Sequence, residues 1–134
     1  MARVKNVMGL RVYTSGPMSG KPDFNAAAFE VARVRGEGMG HVMLIPSDGE
    51  SYTPLEAQML EATPENRAKW MRKDFHMILS ADLLWVLDGW QKSEGARDEV
   101  RMAQVLGLPV ISFSTGLPID ERMKVCFKRG VPAA

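Results

Sequence analysis

The sequence is short of the residues that staple, metallate or strongly charge a protein. It holds one cysteine, Cys126, which excludes an internal disulfide and fits a reducing cytoplasm. Its two histidines, His41 and His76, stand at no metal-ligand spacing from that cysteine, so no zinc-type motif is present. Seventeen basic and sixteen acidic residues leave a net charge of +1, too little for a field that draws a nucleic acid polymer or a membrane. One small anion needs only a few basic groups and stays open. The opening MARVKNVMGL has no apolar signal core, no run reaches the length of a membrane span, and no repeat recurs.

What remains is an ordinary globular composition, 46% hydrophobic and 25% charged over 134 residues, enough for one domain spanning 1–134 with a core of its own. The ten methionines read as adaptable core filling. Short apolar runs alternate with stretches of helical period. LRVYTSG (10–16) predicts a first strand stopped by Gly-Pro. DFNAAAFEVARVRGEG (23–38) predicts a helix with Phe24, Ala28, Val31 and Val34 inward. HVMLIP (41–46) predicts a second strand, and 46–62 a long polar loop.

TPEN (63–66) is a strong helix start: a capping threonine, proline at the first helical position and an acid in the first turn, with the helix running to about Leu79. DLLWVLDG (82–89) is apolar on both faces, as a central parallel strand is, with Asp82 a turn residue at its start and Trp85 in the core. A helix over 96–106, a strand in LPVISF (108–113) and an amphipathic helix in 119–130, with Cys126 inward, complete the chain. Alternation of this kind predicts an α/β fold: a Rossmann-like or flavodoxin-like three-layer sandwich, with a parallel sheet of four to five strands and helices on both faces. Ligands of such sheets bind beyond the carboxyl ends of strands where strand order reverses, which singles out GPMSG (16–20) and DGWQKSEG (88–95).

Two acids sit where apolar residues are expected. Glu99, Met102, Ala103 and Leu106 share one helical stripe, so Glu99 heads a buried face while Arg97, Asp98 and Arg101 turn elsewhere. A carboxylate there suits a nucleophile or base at a ligand edge; the plainer alternative is a capping-box glutamate at N3 of the helix. Asp74 shares a stripe with Trp70, Met77 and Ile78, and either joins the same pocket, occupies a solvated groove or pairs with a neighbouring basic residue.

Tyr13, near the end of the first strand, is placed to orient a carboxylate, or is core with its hydroxyl satisfied. Gly16, Met18 and Gly20 form a tight loop suited to a phosphate or sugar oxygen, although turn chemistry explains it as well. Asp88 ends the third strand on the ligand side. Trp90 stacks on a base or covers the sheet edge. Ser93 and Gly95 frame the next loop, and Arg97 is the basic residue closest to the crevice. Lys92 and Arg101 read as a solvated face, and His76 as incidental.

Together, VYTSGPMSG…DFN, Asp74 and SEGARDE resemble the nucleoside 2-deoxyribosyltransferase superfamily, and in particular a branch similar to 2′-deoxynucleoside 5′-phosphate N-hydrolases. The resemblance runs from about Arg11 to Phe113. It implies that Glu99 attacks C1′ of a 2′-deoxynucleoside or its 5′-monophosphate, that Tyr13 orients Glu99, and that Asp74 handles the base or its proton. No cofactor is implied.

Transferases of this group tend to carry an acid six residues before the nucleophile, and the monophosphate hydrolases a serine that contacts phosphate. The residue here is Ser93, which favours hydrolysis of monophosphates; base exchange and non-catalytic nucleotide sensing are the alternatives. Arg97 stands where relatives have a small residue, and either narrows the pocket or contacts phosphate. The Gly-Gly-x-Gly-Thr-x-x-Glu signature of phosphoribohydrolases is absent. A homodimer or larger homo-oligomer is implied.

Overall fold

A computed structural model describes residues 9–18, 20–47 and 63–119. The expected loop beyond Ser47, the C-terminal helix and Cys126 lie outside them. Strands β1 (Arg11–Ser15), β2 (Val42–Leu44), β3 (Leu83–Val86) and β4 (Val110–Ser112) form one parallel sheet in the order β2-β1-β3-β4. All of β3 is buried, as an all-apolar central strand requires. After β4 the chain turns back alongside it, with an antiparallel bridge between Ile111 and Pro118.

Helix α1 (Ala26–Gly38) covers one face of the sheet, and α2 (Pro64–Leu79) and α3 (Glu94–Val105) cover the other. The fold is therefore α/β and Rossmann-like, with helices on both faces. Because successive strand residues point to opposite faces, β1 serves both cores. Val12 packs with Phe29, Ala32, Met43, Trp85 and Ile111 under α1, while Tyr13 packs with Ile78, Leu84, Val100 and Val110 under α2 and α3. Strand order reverses between β1 and β3, where Ser15 lies in register with Val86.

Several local readings change. Helix α1 starts at Ala26 because Asp23, Phe24 and Asn25 all adopt left-handed backbone angles. Its buried face is Phe29, Ala32 and Gly36; Val31 and Val34 are exposed, and Phe24 and Ala28 are half-buried. At Gly36 the helix lies so close to the sheet that a Cβ would run into the Met43 side chain. Helix α2 begins as expected, with Thr63 Oγ1 accepting from the Asn66 N–H at 3.1 Å. Helix α3 begins two residues earlier than expected, at Glu94, with Ser93 Oγ accepting from the Ala96 N–H at 3.2 Å. Glu99 therefore sits in the second turn and is no capping-box residue. Leu106 closes this helix exposed, so the buried stripe is Ala96, Glu99, Val100 and Ala103.

Candidate functional site

The buried stripe of α3 sets Glu99, only 5% exposed, against the end of β1. Tyr13 and Ser15, two apart on one strand, present both hydroxyls to it. Tyr13 donates to Oε2 at 3.1 Å and Ser15 to Oε1 at 2.6 Å. The second distance is at the short end of the range for a hydroxyl–carboxyl bond. Asp74, buried on α2 one turn before Ile78, hydrogen-bonds into the same group.

The two helices that carry the acids are also clamped from outside. Arg67 of α2 binds Glu94 at 2.9 Å and Asp98 at 3.1 Å, both on α3. These pairs are partly exposed and add little stability, but they link the two helices that carry the acids.

Burial sets the electrostatics. It pushes the Glu99 carboxyl well above the usual range, and the hydrogen bond and negative charge of Asp74 push it further. The Ser15 and Tyr13 hydroxyls oppose that shift by donating to the ionised form. Burial, followed by the charges of Glu99 and Asp74, raises the Tyr13 phenol, so Tyr13 remains a protonated donor. A carboxylate held by two hydroxyls beside a second acid can attack an electrophilic carbon while its neighbour moves a proton.

The structure thus brings Tyr13, Asp74 and Glu99 into one cluster and adds Ser15, which the sequence reading passed over. The available signal was its position, two residues beyond Tyr13 on the same strand face. The remaining candidates surround the cluster at varying distance. Gly16 is buried, and a Cβ there would lie 2.8 Å from Leu87 Cβ, so its missing side chain lets β1 and β3 converge. Met18 packs on the α1-side core, and its carbonyl accepts from the Lys21 N–H at 3.2 Å across a turn containing Gly20, whose φ is 79°. Gly95 lies in the first turn of α3, where a Cβ would touch Met71 at 3.9 Å.

Asp88 is exposed and accepts from Ser114 Oγ at 3.0 Å. It lies between two concavities of about 530 and 550 Å³, and neither is lined by Glu99, Tyr13 or Asp74. Trp90 is half-buried against the α2/α3-side core and lines the second of these concavities. Arg97 does not join the acids. Two residues before Glu99 it points roughly 200° round the helix, and its guanidinium donates to the Gln91 carbonyl at 3.2 Å. Among the described residues no group of three His, Cys, Asp or Glu side chains is placed to hold a metal ion, and no helix is long and apolar enough to cross a membrane.

Residues 10–112 match the family described as Domain of unknown function (DUF4406). The chain belongs to that family. Three solved structures share its fold. A 2-deoxyribosyltransferase from Bacillus psychrosaccharolyticus is 21% identical, with 87% of this chain and 81% of that one covered and a TM-score of 0.55. A conserved protein from Enterococcus faecalis V583 is 21% identical, with 92% and 77% covered and a TM-score of 0.55. A 2-desoxiribosyltransferase from Leishmania mexicana is 22% identical, with 78% and 63% covered and a TM-score of 0.56. At these identities the likeness is one of fold. Comparison with curated proteins gives no match.

Proposed function

We propose that the protein cleaves the N-glycosidic bond of 2′-deoxynucleoside 5′-monophosphates by hydrolysis. The observation that carries this reading is Glu99: a buried carboxylate gripped by two hydroxyls, beside Asp74, at the reversal of strand order. The fold shared with two 2-deoxyribosyltransferases supports glycosyl chemistry.

In the first step a Glu99 oxygen bonds to C1′ as the C1′–N bond breaks. The bonding pair leaves with the base, and Asp74 supplies the proton that neutralises it. The transition state has oxocarbenium character, which a carboxylate beside C1′ stabilises. A deoxyribose reaches it more readily because it lacks the electron-withdrawing 2′-hydroxyl. In the second step water attacks C1′ of the glycosyl ester and gives its proton to Asp74, and the C1′–O bond to Glu99 breaks. The products are free base and 2-deoxyribose 5-phosphate.

Ser93 supports the phosphate assignment. It opens α3, where the positive end of the helix dipole favours an anion, and its oxygen accepts from the Ala96 N–H while its own proton is left to donate. Gly16, Met18 and Gly20 complete the loop facing the sugar phosphate; Asp88, Trp90 and Gly95 border it. The whole chain acts as one domain, as a cytoplasmic homo-oligomer.

Incubation with a panel of 2′-deoxynucleosides and their 5′-monophosphates, with free base followed by chromatography, tests this reading. Base release from monophosphates, abolished in Glu99→Ala, is expected. Binding without release by the wild type marks a nucleotide sensor. Faster release from free nucleosides refutes the phosphate assignment, and formation of a new nucleoside on adding a second base marks a transferase.

A further inference from the structure

Two carboxyls in hydrogen-bond contact in a buried site share protons and titrate as a pair. For Glu99 to attack carbon and Asp74 to protonate a leaving base, the shared proton must sit on Asp74. Asp74 itself works against this, because its hydrogen bond and charge favour the proton on Glu99. The hydroxyls facing Glu99 oppose it. From β1 come the hydroxyls of Tyr13 and Ser15; from α2 comes Asp74; the neighbouring side chains of β3 on this face are Leu84 and Val86, which cannot donate. Tyr13 makes the longer bond, 3.1 Å, and also hydrogen-bonds Asp74, whereas Ser15 makes the shorter, 2.6 Å, to Glu99. Ser15 is itself fully buried, so no water competes for its proton.

We propose that Ser15 is a positioning residue for Glu99: its hydroxyl fixes the carboxylate through Oε1 and directs the proton shared by the two acids onto Asp74. This rests on the reading of Glu99 as nucleophile. A hydroxyl donor stabilises the ionised acid more than the neutral one, so its removal favours proton transfer onto Glu99 and silences the nucleophile at neutral pH.

The direct test is a carbon-13 NMR titration of the Glu99 side-chain carboxyl in the full chain, as wild type, Ser15→Ala and Ser15→Thr. The midpoint is expected to rise by about one pH unit or more in Ser15→Ala and to return in Ser15→Thr, which restores a hydroxyl. An unchanged midpoint in folded Ser15→Ala overturns the proposal. So does a rise that Ser15→Thr, folded, fails to reverse, since packing alone then explains it. If Ser15→Ala does not fold, Ser15→Cys gives the same readout with a weaker donor of similar shape. The acid limb of the base-release profile should move with the NMR midpoint. Absence of base release in the wild type defeats the proposed activity, while the titration still decides the role of Ser15.

Discussion

The Ser15 hydroxyl lies 2.6 Å from Glu99 Oε1, two residues beyond the tyrosine that holds the other oxygen. A five-residue strand thereby supplies both donors to an acid 84 positions away from Ser15. The packing of α3 on β1 does the rest. Holding a carboxylate in that position costs folding energy, and the cost makes specific outcomes measurable.

Glu99→Gln keeps the shape of the side chain and removes the charge. Base release should fall on the order of 10⁴-fold or more, as for loss of a nucleophile. Stability should move the opposite way. The folded carboxyl lies well above its ordinary 4.5, so the folded state holds the proton more tightly than the unfolded chain. Its contribution is fully present below pH 4.5 and is lost as pH rises through the folded value. Chemical denaturation from pH 4 upward should show that loss in the wild type and a flatter profile in Glu99→Gln.

Gly16→Ala tests how closely β1 and β3 must converge beside the acids. The new Cβ would lie 2.8 Å from Leu87 Cβ, inside contact distance, so one strand end must yield. Overpacking of this kind costs about 1–3 kcal/mol. Because Ser15 is the adjacent residue, base release should fall by more than the loss of folded protein explains. Denaturant midpoints measured with initial rates on the same samples separate the two effects.

Thr14→Val removes a hydroxyl instead of adding bulk. Thr14 is fully buried, and its Oγ1 has no hydrogen-bond partner among the described residues. Burying a hydroxyl without a partner costs about 1–3 kcal/mol, and valine has nearly the same shape. The variant should unfold at a higher denaturant concentration than the wild type. Thr14 points away from Glu99, so activity should be unchanged.

The site was legible wherever a polar residue broke an apolar pattern. Glu99 among Ala96, Val100 and Ala103, and Asp74 before Ile78, were conspicuous because helical period predicts their burial. Ser15 broke no pattern: a serine ahead of Gly-Pro looks like a strand end, and only the placement of α3 reveals what it touches. The direction of Arg97 was not legible for the converse reason, since it depends on the turn at Trp90–Lys92 that supplies its carbonyl partner. The face of α1 was lost to a left-handed turn at residues 23–25 and to a buried stripe in which Ala32 and Gly36 carry little hydrophobic signal beside Phe29.

His41 supplies a pH dependence separate from that of the acids. It is 5% exposed before β2, edge-on to Trp85 at 6.1 Å, and neither ring nitrogen has a hydrogen-bond partner among the described residues. Burial lowers its pKa from 6.5, so the folded state favours the neutral ring. The unfolded chain then takes up the proton first as pH falls. The stability His41 confers is present above pH 6.5 and is lost as pH drops through the lowered folded value. His41→Leu removes that penalty together with two unpartnered nitrogens. Thermal melts should show the gain of His41→Leu over the wild type growing from pH 7 to pH 5. A constant difference across that range would mean that protonation of His41 does not oppose folding.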